Sequence, residues 1–257
     1  METRRNKRIS RLIQALKKTD KLHLKDAAKL LGVSEMTVRR DLNADITDVM
    51  LLGGYVVSDL KNKGTTNYFV SDQQTKHVKE KQTIGTAAAF LVDANDTVFF
   101  DCGTTIPFII DAIPDDLSFT AICYSLNTFL TLQEKTACTV ILCGGQYHPD
   151  NAIFTPLNRH GELENICPNK AFISAAGIDL AVGATCFNFA ELAMKQRAIA
   201  TAQRNVIVVD HSKFGQIQRA CIGPLTQFDT VISDCDPDKA YLRYFASNHI
   251  QFIHAGN

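Results

Sequence analysis

The chain predicts an α/β protein in two parts, an N-terminal winged helix-turn-helix domain over residues 1–57 and a larger α/β domain over 74–257. Three observations carry this. Leu22–Leu42 has the spacing of two short helices about a tight turn, the first 58 residues are strongly basic, and helix-like and strand-like segments alternate beyond residue 74.

The elements follow in order. Met1–Lys18 carries Ile9, Leu12, Ile13 and Leu16 at i, i+3, i+4 and i+7, which predicts a first helix. Leu24, Ala27, Ala28 and Leu31 give a second helix one apolar face, Gly32 supplies the freedom a sharp turn needs, and Val33 can plug the gap. Ser34 is a natural N-cap for a third helix, since its hydroxyl can accept from an orphan amide. Turning that helix by about 100° per residue puts Val38 and Leu42 on the buried stripe. Met36, Arg40 and Asn43 face away from it, Thr37 and Arg39 lie on the flanks, and Glu35 and Asp41 fall at the edges, placed to pair with other helices. Such a second helix of the motif enters the major groove of DNA, where arginine grips guanine edges or phosphates with a bidentate fork. Ser34, Met36, Thr37, Arg39, Arg40 and Asn43 are therefore the candidate DNA-binding residues, and double-stranded operator DNA the expected partner. A solvated basic face on an ordinary helical hairpin would explain the arginines but not their agreement with the turn and the cap.

Charge is distributed to match. The first 58 residues hold twelve Lys or Arg against seven Asp or Glu, so the neutral whole leaves the remainder with an acidic surplus of five. A basic module on an acidic body is the pattern of a nucleic-acid binder with a separate second function. Val49–Val57 reads as two short strands about Gly53-Gly54, the wing of a winged helix. The polar stretch 58–73, with SDLKNKGTT at its start, is expected to be a linker.

Beyond the linker, a helix is expected over Gln74–Phe90 and a strand over Thr97–Asp101. Further strands are expected at Phe119–Tyr124, Thr139–Cys143, Ala171–Ala175, Val206–Asp210 and Thr230–Ser233, with helices at Asn127–Glu134, Asn188–Gln203 and Pro237–Ser247. This alternation predicts a parallel or mixed sheet covered by helices, whose ligands gather beyond the carboxyl ends of the strands. There, Asp101-Cys-Gly-Thr-Thr105 offers Gly103 for close backbone approach and Thr104 and Thr105 for hydroxyl contacts to a phosphate. Ser125 and Asn127 suit sugar hydroxyls, Gly144 and Gly145 leave room for backbone approach, and Asp179 and Lys213 end two more strands. Each alone is most often a turn; their recurrence at successive strand ends suggests a site.

Composition excludes several classes. No apolar run approaches the roughly 18 residues a membrane span needs, and the charged first residues lack the apolar region of a secretory signal, so a cytoplasmic location is expected. None of the eight cysteines has Cys-x-x-Cys or zinc-site spacing, so they are expected to be reduced, small core residues, with no metal. Neither a Walker loop nor G-x-G-x-x-G occurs, and no cofactor is expected. Asp210, His211 and Ser212 are consecutive and cannot converge as a hydrolytic triad.

Arg8, Leu12 and Leu16 at four-residue steps, then Ser34, Thr37, Val38, Arg39, Arg40, Asp41 and Leu42, together with Gly53-Gly54, resemble the N-terminal signature of the DeoR family. The resemblance continues through Asp-Cys-Gly-Thr-Thr and Asp-His-Ser-Lys-Phe, and so over nearly the full length. It implies a winged helix fused to a sugar-phosphate sensor domain resembling ribose-5-phosphate isomerase. The implied function is a repressor released from its operator by a phosphorylated sugar, with deoxyribonucleoside catabolism as the pathway and deoxyribose 5-phosphate as effector. A homo-oligomer, a dimer or higher, is expected because most soluble oligomers are symmetric and paired reading heads suit inverted repeats. In this family Asp179 through Lys195 resembles the isomerase stretch that holds a carboxylate base and a lysine, which adds Glu191 and Lys195 to the candidate effector site. From the residues alone these two could be only an exposed i,i+4 ion pair. The chain departs from the isomerase pattern, because Ala176, Gly177 and Leu180 stand where companion carboxylates would be. No catalytic residue is therefore expected; the alternative is an aldose–ketose isomerase with a DNA-binding module, using Glu191 as its base.

Overall fold

The computed structural model describes residues 4–16, 21–43, 49–52, 55–58, 76–157 and 161–256. The chain divides into two compact units, Met1–Thr66 and Asn67–Asn257. The expected turn at Gly53-Gly54 and most of the expected linker, 59–73, lie outside the described residues.

In the first unit, α1 (Arg4–Leu16), α2 (Leu24–Leu31) and α3 (Glu35–Asn43) pack Ile9, Leu12, Leu16, Leu24, Ala27, Ala28, Leu31, Val38 and Leu42 into one core. The α2 bounds are those the periodicity predicts. Gly32 closes the helix at φ 67°, a conformation that costs other residues a Cβ clash, and Val33 donates its amide to the Ala28 carbonyl at 3.1 Å. The wing, β2 (Val49–Leu52) and β3 (Tyr55–Ser58), is antiparallel, and β3 also pairs with a short strand β1 (Lys21–His23). Three residues are too few for a periodic signal, so β1 is not visible in the sequence.

The second unit is built on a seven-stranded sheet whose described pairings are all parallel. Its strands are β4 (Thr97–Phe100), β5 (Phe119–Cys123), β6 (Cys138–Leu142), β9 (Lys170–Ser174), β12 (Arg204–Val208), β14 (Thr230–Ser233) and β15 (Gln251–His254). The order across the sheet is β15-β14-β12-β9-β4-β5-β6. Side chains alternate between two buried faces. Val98, Phe100, Phe172, Val206, Val208 and Ile232 face one core with Ile84 and Ala88 of α4 (Val78–Ala89) and Ile106, Ile109 and Ile110 of α5 (Ile106–Ala112); Leu132 of α6 (Leu126–Leu132) joins them. Phe99, Ala171, Ile173, Ile207 and Val231 face the other, with Met194 and Ala198 of α7 (Leu192–Thr201) and Tyr241 and Phe245 of α8 (Lys239–Ser247). Burial on both faces is why the inner strands β4, β5, β9, β12 and β14 read as continuous apolar runs, whereas the edge strand β15, with Gln251 exposed, is not among the strands the sequence predicts.

The sequence reading misses the smaller strands. β7 (Gln146–His148) and β8 (Ile153–Thr155) form a hairpin, and β10 (Gly177–Asp179), β11 (Gly183–Cys186) and β13 (Ala220–Gly223) form a separate antiparallel sheet. The expected helix at Asn188–Gln203 opens with a 3-10 turn, Phe189–Glu191, before α7. All eight cysteines are free, but Cys167, Cys221 and Cys235 are exposed, so the expectation of core cysteines holds for only part of the set.

Candidate functional site

The outward face of α3 is the first candidate. Val38 and Leu42 are buried, while Met36, Arg39 and Arg40 are exposed and Thr37 is half-buried. The Thr37 amide donates to Ser34 Oγ at 3.2 Å, so the Ser34 hydroxyl caps the helix and remains exposed. Asn43 closes α3, and its side chain lies outside the described residues. Asp41 is 5 % exposed and accepts a bidentate pair from Arg8, Nε at 2.6 Å and Nη2 at 3.0 Å; Arg5 donates to the Asp41 carbonyl. The edge position read for Asp41 thus ties α3 to α1, which leaves Arg39 and Arg40 as the exposed arginines of the helix.

The second candidate lies where the sheet changes direction. From β4 the chain builds outward through β5 and β6, then returns to the other side of β4 and builds outward through β9, β12, β14 and β15. The connections that leave neighbouring strands β4 and β9 therefore run in opposite directions, and a crevice opens beyond the carboxyl ends of the two strands. The cavity there is lined by Gly103, Thr104, Thr105, Ser174 and Ala176, with Lys81, Glu191, Lys195, Asp210 and Lys213 on its walls. A Cβ on Gly103 would stand 2.1 Å from Ser174 Oγ, so only glycine lets the two strand ends approach this closely.

Beneath the cavity is a buried ionic network. Asp101, with no exposed surface, is ion-paired with Lys195, itself 1 % exposed. Ser174 donates to Asp101 Oδ2 from its amide at 2.8 Å and its hydroxyl at 2.6 Å, and Tyr124 donates to Oδ1 at 2.7 Å. Burial pushes the Asp101 carboxyl up, but the Lys195 charge and these hydrogen bonds outweigh it and hold Asp101 below its ordinary range. Lys195 is likewise penalised by burial, yet the charges of Asp101 and Glu191 hold it well above the ordinary lysine value. Glu191 lies 3.5 Å from Lys195 and accepts at Oε1 from Asn151 and Asn188, each at 3.1 Å. Glu191 and Lys195 are thus a buried pair, not the exposed one the spacing allows.

The structure brings Gly103, Thr104, Thr105, Glu191, Lys195 and Lys213 together around the cavity, with Asp101 below them. Other sequence candidates are not among its lining. Ser125 accepts from the Thr128 amide as the N-cap of α6, and Asn127 sits in the first turn of that helix. Gly144 and Gly145 join edge strand β6 to the β7–β8 hairpin. Asp179 accepts from the amides of Ala181 and Val182, both at 2.9 Å, and so closes the β10–β11 turn. Asp210, His211 and Ser212 do not converge: Ser212 donates to Asp210, while His211 Nδ1 lies 2.7 Å from Asp234 Oδ2.

Sequence reasoning missed Lys81, Ser174, Tyr124 and Asp210 as parts of the site. Lys81 left a usable signal, because it shares the stripe of Ile84, Gly85 and Ala88 at i, i+3, i+4 and i+7; a lysine on an apolar helix face needs a reason.

Residues 8–59 match the DeoR-like helix-turn-helix domain family, and residues 76–235 match the DeoR C terminal sensor domain family. The chain is 53 % identical over 254 residues to the deoxyribose operon repressor of Escherichia coli K12, covering 99 % of this chain and all of that one. It is 23 % identical over 240 residues to the glycerol-3-phosphate regulon repressor of the same organism, covering 93 % of this chain and 95 % of that one. Among solved structures, ribose 5-phosphate isomerase from Methanocaldococcus jannaschii matches 52 % of this chain and 53 % of its own, at 14 % identity and a TM-score of 0.40.

Proposed function

The chain belongs to the DeoR family of transcriptional regulators, and from that premise we propose that it represses a deoxyribonucleoside catabolic operon and is released by deoxyribose 5-phosphate. Ser34, Met36, Thr37, Arg39, Arg40 and Asn43 meet operator DNA, and a homo-oligomer presents paired reading heads to an inverted repeat. The observation that carries the effector assignment is the cavity at the β4/β9 switch point, which Gly103, Thr104 and Thr105 line together with Lys213. Threonine hydroxyls and an ammonium are the donors a phosphate dianion requires. Glu191 and Lys195 border the same cavity and take the sugar hydroxyls. The 53 % identity to a deoxyribose operon repressor supports deoxyribose 5-phosphate over other phosphorylated sugars.

The protein is a regulator, not an isomerase. In keeping with that, Glu191 is engaged by Lys195, Asn151 and Asn188, whereas a proton-shuttling base must be able to reach a substrate carbon. Among the described residues no helix is long and apolar enough to cross a membrane.

The test is operator binding by gel shift, titrated with deoxyribose 5-phosphate, ribose 5-phosphate and fructose phosphates. Release at the lowest concentration by deoxyribose 5-phosphate is expected. Release by another of these sugars at lower concentration, or by none, overturns the effector assignment.

A further inference from the structure

His77, His211, Asp234 and Cys235 come from three segments of the second unit: the residue ahead of α4, the 3-10 turn after β12, and the loop after β14. One ligand atom from each of His211, Asp234 and Cys235 lies within 4.8 Å of the other two, the one such group of His, Cys, Asp or Glu among the described residues. Asp234 holds the histidine twice: Oδ1 accepts from the His211 amide at 2.7 Å, and Oδ2 lies 2.7 Å from Nδ1. That alone would be an ordinary surface pair, like His254 and Asp236 at 3.0 Å. Cys235 and His77 make the difference. Cys235 adds an exposed free thiol. His77 brings a second imidazole, its centroid 5.5 Å from that of His211 and its plane turned by 89°. It does so at a conformational cost, with φ 51° in the left-handed region and no cap hydrogen bond from its side chain. Glu80, one turn along α4, sets a carboxylate oxygen 3.8 Å from His77 Nδ1.

We propose that His77, His211, Asp234 and Cys235 form a binding site for one divalent transition-metal ion, with Zn²⁺ the best fit. Two imidazoles, a thiolate and a carboxylate are donors that zinc takes in four-coordinate sites, whereas calcium and magnesium demand oxygen. A tetrahedral ion bound at about 2.0–2.3 Å sets its ligand atoms roughly 3.4–3.8 Å apart, and the centroids of two bound imidazoles about 5 Å apart. The group of three and the histidine pair are close to these spacings, so small side-chain rotations complete the shell. Binding releases the Cys235 thiol proton to solvent, because the thiolate is the ligand. Cysteine spacing along the chain does not show such a site, since its members run from residue 77 to 235 and only two are neighbours. None of the four lines the cavity at the β4/β9 switch point, so the metal site stands apart from the effector reading. Asp210 and Lys213, which do line it, flank His211 in its turn, and a bound ion would fix the turn that carries them.

The test uses the untagged, reduced full chain, stripped with a chelator and titrated with Co²⁺ and with Zn²⁺. The wild type should bind one Co²⁺ per chain with the near-ultraviolet absorption of a thiolate ligand, and Zn²⁺ should displace it. Cys235→Ser should lose that absorption, while Cys167→Ser and Cys221→Ser, at the other exposed thiols, should keep it. His77→Gln should weaken binding at least about tenfold, since loss of a mere outer-shell partner already costs about 10- to 100-fold. Zn²⁺ should raise the thermal midpoint of the wild type and not that of Cys235→Ser. A readout that needs no variant is alkylation of the wild type mapped by mass spectrometry: Zn²⁺ should slow labelling of Cys235 and leave Cys167 and Cys221 unchanged. A wild type without the thiolate absorption, absorption that survives in Cys235→Ser, or equal labelling of Cys235 with and without Zn²⁺ overturns the site. Wild-type affinity in His77→Gln overturns the four-ligand shell.

Discussion

Two ion pairs, one in each unit, join residues far apart in the chain, and they are solvated very differently. Arg8 and Asp41 are 33 residues apart, and the arginine side chain keeps 21 % of its surface in water. Lys195 and Asp101 are 94 residues apart and keep 1 % and none. A half-wet pair can position a helix with little more than its own fork geometry. A dry pair is tolerable only when its remaining valences are filled, and here Ser174 and Tyr124 fill those of Asp101. The difference teaches where the fold is shaped around charge: at the crevice between β4 and β9, and much less in the reading head.

The largest effect expected is from removing one partner of the dry pair. Lys195→Met leaves the Asp101 carboxylate buried and should cost about 3–5 kcal/mol, read by denaturant unfolding followed by circular dichroism. The double variant with Asp101→Asn should recover part of that loss; additive losses would show that the pair is not coupled. The pair also sets the acid limb of stability. The folded Asp101 carboxyl titrates below its unfolded value of about 3.9, so its contribution is complete above that value and is lost as pH falls through the folded one. Asp101→Asn should flatten this limb.

Next in size is effector capture. Thr104→Ala or Lys213→Ala should weaken the phosphate by about 10- to 100-fold, equivalent to roughly 1.5–3 kcal/mol, while operator binding stays intact. The phenotype is a super-repressor in a gel shift titrated with deoxyribose 5-phosphate. Release at wild-type effector concentrations by both variants would move the ligand elsewhere.

Arg40→Ala should remove about 1–3 kcal/mol of discrimination between operator and random DNA. Arg39→Ala, on the flank, should weaken both and lower the salt dependence of binding. Equal losses on both DNAs for Arg40→Ala would show that the other face of α3 meets the bases. The smallest effect belongs to the wet pair. Asp41→Ala should cost about 1–2 kcal/mol, since water screens part of the Arg8 interaction. A loss matching that of Lys195→Met would erase the contrast between the two pairs.

Much of the fold was legible because its signals are local. The stripe Leu24, Ala27, Ala28 and Leu31 defines α2 to the residue, and Gly32 and Ser34 mark the turn and cap between α2 and α3. Strands buried on both faces, such as Thr230–Ser233, announce themselves as short apolar runs. In the candidate site, Gly103, Thr104, Thr105 and Lys213 were legible as residues that follow strands, and Glu191 and Lys195 only through the family resemblance.

What only the tertiary structure decided is adjacency. Six apolar runs do not state their order in the sheet, and it is the placement of β9 beside β4 that makes 101–105 and 174–176 one crevice while leaving Gly144, Gly145 and Asp179 in turns of their own. Nor does periodicity distinguish a lysine that reaches solvent from one enclosed by a neighbouring helix, so Lys81 and Lys195 acquire their character only when α5 and the sheet close over them. Helix and strand signals arise between residues three or four apart and two apart, within reach of a single segment. Burial, charge pairing and pKa depend on which distant segments meet, and that is settled by the packing of the whole domain.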